Sequence, residues 1–373
     1  LLAGKSVFIV DGFEGALVLD LRDYPARNTE EPEKERVMRG SRDGFVETVI
    51  WNIALVRRRI RDPKLIAEMM RVGTRSRTDI ALLYIEDLVK QDELAVIRSK
   101  LNGVQVDSLT MNMESLAECM VRRRWYNPFP KVRYTERPDA AAAAILEGNI
   151  VILIDNAPAA MILPTSILDF LQEPNDFYFP PLIGTYIRWI RNLVFIATLF
   201  LTPLWLLAVE NMSHLPPSLS FLGLSAPASV PIIIQLLLLE GSIDVLRLAS
   251  VNTPNMLGNS LSIIGALLLG DFAVKSGWMV PDTILYMSFV AIAGFTQPSI
   301  ELSYSFKLMR IMLLLATYFF KLWGFIIGTI LVVVFIATNK TVTGKGYLYP
   351  LIPFNWKALK THLYRHRLRS KMK

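Results

Sequence analysis

The chain contains a single cysteine, Cys119, and only three histidines, His214, His362 and His366. One thiol leaves no internal disulfide, and scattered imidazoles offer no metal-ligand spacing, so redox and zinc chemistry are poor starting points. There is no Walker A loop, no G-x-G-x-x-G behind a strand, no G-x-S-x-G elbow and no H-E-x-x-H pair. Those absences remove the catalytic signatures that would indicate an enzyme or require a cofactor. Also missing is a basic N-terminal segment followed by a short apolar core, so no cleavable signal peptide is expected. The first residue is Leu1 rather than Met, and further N-terminal sequence is expected in the intact protein.

Acidic residues are scarce in one half only. From Leu1 to Arg188 there are 25 Lys and Arg against 27 Asp and Glu, whereas from Trp189 to Lys373 there are 15 against 6. The last stretch, Lys340 to Lys373, holds 9 basic residues and no acidic one, so the net charge of +7 lives in the tail. A cationic tail behind apolar segments follows the positive-inside rule and suits anionic lipid, which argues against nucleic acid as the partner.

What is present in the first half is a mixture of strand and helix signals. Ser6 to Val10 and Gly15 to Leu19 flank Asp11-Gly12 and predict a hairpin. Tyr24 to Arg39 is polar and reads as a solvated loop. Phe45, Val49, Ile53, Val56 and Ile60 recur at helical spacing and predict a helix over Gly44–Arg61, stopped by Asp62-Pro63. Ile80–Ile85 predicts a buried strand and Asp92–Leu101 a helix, an alternation that suits an α/β subdomain. The tract Trp125-Tyr126-Asn127-Pro128-Phe129-Pro130, behind Arg122-Arg123-Arg124, is the candidate linker to a second small unit. That unit has an alanine-rich helix from Pro138 to Glu147, strands Ile150–Asp155 and Ala159–Leu163, and a short helix Thr165–Leu171.

The second half reads as a helical membrane domain. Asn192–Val209 carries no charge and is long enough to approach a bilayer span. Val230–Leu239 runs into Glu240, Asp244 and Arg247; Met256–Val274 contains Asp271; Met279–Phe295 is a fourth segment. Leu308–Thr338 is either one tilted helix or two arms hinged near Lys321-Leu322-Trp323-Gly324. With no export signal and a basic tail, both termini are expected in the cytoplasm, with an even number of crossings, four or six. The expected fold is therefore an α/β cytoplasmic region of two small subdomains (1–124 and 125–188), an all-α membrane domain (189–339) and a basic tail (340–373).

Charges inside apolar segments are the candidate functional residues, because an ionised group in a bilayer must pair, face the bundle interior or line water. Glu240, Asp244 and Arg247 stand at i, i+4 and i+7 on one helix face. They read either as a polar stripe lining an ion or proton path, or as an interfacial helix with an Asp244–Arg247 ion pair. Asp271, a further pore or gate candidate, repeats the i, i+4 spacing with Lys275, where a simple salt bridge or snorkelling is the plainer account. Gly258, Gly265, Gly270, Ser260 and Ser262 give the third segment small faces for helix contact.

Arg39-Gly40-Ser41-Arg42-Asp43-Gly44-Phe45, then Arg57-Arg58-Arg59-Ile60-Arg61-Asp62-Pro63, then Tyr134-Thr135-Glu136-Arg137-Pro138-Asp139 before Leu146-Glu147-Gly148, resemble the A subunits of GerA-type spore germinant receptors. The likeness runs through the membrane half to Pro350-Leu351-Ile352-Pro353-Phe354-Asn355. At Ser225 to Pro231 the chain departs from the Arg-Glu-Gly-Val-Pro-like stretch of nutrient receptors, which speaks against direct nutrient sensing.

The resemblance implies a multi-pass protein of the spore inner membrane acting in germination. It implies a homo-oligomeric ring conducting monovalent cations alongside other membrane germination proteins, with Glu240 to Arg247 as pore or gate. A non-conducting scaffold that recruits germination proteins through its soluble half is the alternative.

Overall fold

The computed structural model describes residues 6–19, 28–32, 35–121, 126–252, 265 and 267–365. The Arg122–Arg124 cluster, Trp125, most of the Met256–Val274 segment with Gly258, Ser260 and Ser262, and the last residues of the tail from His366 lie outside them.

The predicted hairpin forms. Strand β1 (Ser6–Ile9) pairs antiparallel with β2 (Ala16–Leu19), Ser6 opposite Leu19, around a turn in which Gly12 takes φ +81°. Helix α1 is shorter than the spacing predicts, Val49–Arg59. Its start is set by Asn52, whose amide takes the Val46 N–H at 2.9 Å and donates to the Val46 carbonyl, holding the preceding chain extended. Phe45 is buried all the same, ahead of the helix. The polar stretch before it is not wholly solvated either. Pro32 and Val37 are buried, and the Glu35 carboxylate accepts from Thr135 Oγ1 at 2.7 Å and from the Glu136 N–H at 2.8 Å.

Five strands form one sheet. β3 (Leu65–Val72), β4 (Thr78–Ile85), β5 (Arg133–Thr135), β6 (Ile150–Ile154) and β7 (Ala160–Leu163) stand in the order β3-β4-β6-β7-β5, every neighbour antiparallel. The sheet draws β3 and β4 from before the Trp125–Pro130 tract and the rest from after it. This corrects the division into two α/β units at residues 124 and 125: the strands share one sheet and its cores. Strand β3 escapes the sequence reading because Glu68 and Arg71 interrupt its apolar run at the sheet edge. The central strands β4 and β6 are apolar at nearly every position because both faces are covered.

On one face Ile80, Leu82, Ile150 and Ile152 pack against α2 (Gln91–Asn102) and α3 (Met113–Met120). On the other, Ala81, Leu83, Val151 and Leu153 pack against α1 and α4 (Pro138–Leu146). The alanines of α4 let it lie close to the sheet, and Gly148 at φ +91° ends the turn behind it.

A short 3₁₀ turn (Ile167–Leu171) and α5 (Asn175–Tyr178) lead into α6 (Pro181–Glu210), a 30-residue helix that continues through Pro203. Then follow α7 (Ile232–Asn252), α8 (Pro281–Phe295), α9 (Ile300–Ala337) and α10 (Trp356–Leu363). By length and composition α6 and α9 are long and apolar enough to cross a membrane.

Of the two forms open for Leu308–Thr338, the hinged one is found. Lys321 has φ 53° and ψ −132°, and the chain doubles back there. The reversal brings Val332 and Ile336 into one cluster with Leu302, Phe306 and Met309. Gly324 and Gly328, a G-x-x-x-G pair, allow the close approach: a Cβ on Gly324 would overlap the Ala316 carbonyl oxygen. At 1.5 Å per residue the two arms are roughly 30 and 24 Å long.

The candidate linker is a wedge instead. Phe129 is buried and meets Phe306 edge-on at 6.0 Å, and the Pro128 carbonyl accepts from Ser305 Oγ at 2.6 Å. Tyr347, fully buried, donates to the Pro130 carbonyl at 2.7 Å. The sheet domain and the helices thus share an aromatic core.

Candidate functional site

The three residues singled out on α7 go separate ways. Glu240 is 3% exposed and turned into the bundle, where Arg310 of α9 grips it with two nitrogens, Nε to Oε1 at 2.6 Å and Nη2 to Oε2 at 2.9 Å. Arg310 also donates through Nη1 to the Thr198 carbonyl of α6 at 2.7 Å. Lys307, one turn before Arg310, reaches Glu240 Oε2 at 3.2 Å and Asp244 Oδ2 at 2.6 Å, and donates to the Glu240 carbonyl at 2.8 Å. One network therefore ties α6, α7 and α9.

The Asp244–Arg247 ion pair expected from spacing is not formed. Lys307 takes Asp244, and the Arg247 guanidinium lies over the rings of Phe295 and Tyr304, 4.8 and 5.2 Å from their centres. Two aromatic faces are a favourable seat for a cation that the carboxylates have passed over. Sequence reasoning missed Lys307 and Arg310. Their signal was two cations a turn apart at the start of an apolar helix, the complement of two carboxylates a turn apart on another.

With Arg247 the cluster holds three cations and two carboxylates, a net charge of +1. A cavity of about 30 Å³ opens between Thr198, Glu240, Asp244, Lys307 and Arg310, room for a water molecule or two and not for a hydrated ion. In this conformation the carboxylates of the stripe are paired with Lys307 and Arg310 around that small space. Asp271 stands apart on the surface, bridged to Lys275 at 2.6 Å as its spacing predicts.

A second charged network joins the sheet domain to α6. Asp176, fully buried, accepts from Arg188 Nε at 3.1 Å and from Arg191 at 2.8 Å on each oxygen, while Arg191 also reaches Glu173 at 2.6 Å. Next to it sit the two motif loops. Arg137 is fully buried, bonded to the Glu35 and Ser41 carbonyls at 3.1 and 2.9 Å and to Asp139 at 2.7 Å. Tyr178 of α5 donates to Asp139, and Gly40, at φ +117°, lies so close to the Tyr178 ring that a Cβ would overlap it.

Asp43 accepts from Ser41, Arg58 and Arg59. Burial raises its pKa, but the hydrogen bonds from Arg59 and Ser41 prevail and hold it at about 2. The two motif segments thus meet where Arg137 takes the Ser41 carbonyl and where Tyr178 lies between Gly40 and Asp139, and the contacts are those of a clamp. Among the described residues no group of three or more His, Cys, Asp or Glu side chains is placed to hold a metal ion.

A family model described as Bacillus/Clostridium GerA spore germination protein matches residues 1–373. Stage V sporulation protein AF of Bacillus subtilis (strain 168) is 41% identical over 358 residues, covering 96% of this chain and 72% of that protein. Spore germination protein KA of the same organism is 31% identical over 369 residues, 98% of this chain and 67% of that one. The crystal structure of the N-terminal domain of the A subunit of the Bacillus megaterium spore germinant receptor GerK3 is 36% identical, covering 32% of this chain and 93% of that one, with a TM-score of 0.26.

Proposed function

Because the chain belongs to the GerA family of spore germination proteins, we propose that it is a multi-pass protein of the spore inner membrane and a subunit of a homo-oligomeric channel releasing monovalent cations in germination. The observation that carries the reading is the buried network of Glu240, Asp244, Lys307 and Arg310 across α6, α7 and α9. A simple anchor has no need of ionised groups inside apolar helices, whereas a gate needs groups that can exchange partners. The network is its closed state. Opening separates the Glu240 carboxylate from Arg310 and gives the carboxylates to passing cations.

Six crossings suit this reading. Trp205, near the end of α6, clusters with Ile233 and Leu236 early in α7 and stacks on Tyr286 early in α8. Helices α7 and α8 thus both begin at the end of the bundle away from the sheet. With the hairpin at Lys321, an even count leaves the sheet domain and the tail together on the cytoplasmic side, where other membrane germination proteins can reach them.

The second reading, a non-conducting scaffold, draws support from the pairing of both carboxylates and from the small cavity. Ion flux from liposomes holding the purified chain with its natural membrane partners separates the two. The channel reading expects Glu240→Ala and Asp244→Ala to lower potassium flux below the wild-type level, because each removes a carboxylate that the open state gives to cations and leaves Lys307 or Arg310 uncompensated. Flux unchanged by either substitution removes the gate from these residues; a wild type that conducts under no condition leaves the scaffold.

A further inference from the structure

The segment after α9 carries a surface that the channel reading does not use. Leu351, Ile352 and Phe354 are 41%, 54% and 68% exposed, and Trp356, at the start of α10, is 59% exposed. The Phe354 and Trp356 rings lie side by side, 6.4 Å apart and 29° from parallel. Beside this apolar edge Lys357 and Lys360 face solvent on α10, while Leu359 turns inward. No carboxylate occurs anywhere from Lys340 to Lys373.

The edge has a fixed place. Arg188 of α6 donates to the Thr361 and His362 carbonyls at 3.2 and 3.4 Å, the Arg365 N–H donates to Thr185 Oγ1 at 3.1 Å, and Tyr364 packs on Trp189 at 5.7 Å. Helix α10 is therefore docked on the first turns of α6, just ahead of its uncharged stretch Asn192–Val209. Tyr186 and Trp189 of those turns are themselves 64% and 51% exposed.

Resting on the membrane reading above, we propose that Leu351–Tyr364 is an in-plane anchor that binds anionic lipid headgroups. Exposed rings at the level where a span meets the headgroups occupy the zone that aromatic belts fill. Lysines on the same short helix extend their stems over that apolar edge and place their ammonium groups at the phosphates. An acidic protein would satisfy the lysines but leave Leu351, Ile352 and Phe354 in water; a lipid surface satisfies both. The dense basic sequence beyond Arg365 adds to the same attraction.

The test uses the full chain carrying Cys119→Ser and Phe354→Cys, spin-labelled and reconstituted in phosphatidylcholine vesicles with or without phosphatidylglycerol. The label is expected to be open to oxygen and shielded from a water-soluble nickel chelate when phosphatidylglycerol is present. That shielding is expected to be lost in Lys357→Gln/Lys360→Gln and at high salt, which screens exposed charges. Quenching by brominated phosphatidylglycerol, compared with and without Trp356→Phe, repeats the measurement with Phe354 intact. A label as accessible to nickel as one placed at Gly344, or shielding indifferent to the lysines, overturns the proposal. Alkaline carbonate extraction tests the membrane reading separately: a chain washed from the vesicles sinks that reading, and a retained chain with an exposed label sinks only the anchor.

Discussion

Arg310 closes on Glu240 through two nitrogens, at 2.6 and 2.9 Å, with both side chains almost wholly buried between α7 and α9. A buried pair of this kind is weak evidence for stability as such, since desolvating two charges offsets much of their attraction. Removing one partner is a different matter, because it strands the other.

Glu240→Gln keeps the side chain's shape and leaves Arg310 and Lys307 without their shared carboxylate. The expected loss is about 3–5 kcal/mol of unfolding free energy, read as the denaturation midpoint of the purified protein in detergent. Glu240→Leu with Arg310→Leu is expected to recover most of that loss, since no charge is then left uncompensated. A double variant as unstable as the sum of its singles would show that the two residues act independently.

How much of this was legible beforehand depends on the residue. The inward turn of Glu240 follows from i, i+4 arithmetic and the cost of a charge among apolar side chains. The identity of its partner does not, because Arg310 is 70 positions away and spacing within α7 favoured Arg247 for Asp244. The central strands were visible because burial on both faces makes them apolar at nearly every position; edge strand β3 was not, because Glu68 and Arg71 interrupt its apolar run. The Pro-rich tract at Asn127–Pro130 resembled a linker because turn formers look alike whether exposed or wedged. Only the partners of Phe129, on α9 and at Tyr347, tell the two apart.

The hairpin at Lys321 makes a prediction through its glycines. A Cβ on Gly324 meets the Ala316 backbone oxygen, which cannot move without opening the turn, so Gly324→Ala is expected to cost about 1–3 kcal/mol. At Gly328 the obstacle is the end of the Leu313 side chain, 2.7 Å away, which can rotate, and Gly328→Ala is expected to cost less. Lys321→Gly relieves a left-handed non-glycine backbone, φ 53°, while giving up the ion pair of its ammonium with Glu210 at 3.8 Å, and is expected to stabilise by less than about 1 kcal/mol. Thermal midpoints of the three variants should fall in that order, Lys321→Gly highest and Gly324→Ala lowest.

Asp43 sets a pH dependence. Burial pushes its carboxyl up, but Arg59 and Ser41 hold it at about 2 in the folded chain against an ordinary 3.8. A depressed acid stabilises above its unfolded value, so the contribution is complete above pH 3.8 and fades as pH falls toward 2. Asp43→Asn is expected to flatten the stability profile across that window and to loosen the loop from Arg39 to Val46. Amide exchange measured there over the window reads both effects. A profile of the same slope in wild type and variant would place the titration on other carboxylates.

Asp176 lets the junction be tested apart from the bundle. Fully buried, it receives one bond from Arg188 and two from Arg191, and each of those arginines has helix α6 behind it. Asp176→Asn preserves the volume but removes the charge that both guanidinium groups were folded around, and Glu173, on the rim, can compensate Arg191 alone. The expected result is a loss of about 3–5 kcal/mol confined to the seam. Protease sensitivity should rise between Gln172 and Pro181, while amide protection in β4 and β6, whose cores lie on the sheet, stays at the wild-type level. Protection lost from the whole sheet at once would mean that the domain and α6 unfold as a single unit, and the clamp formed by Arg137, Asp139 and Tyr178 would then have to hold both.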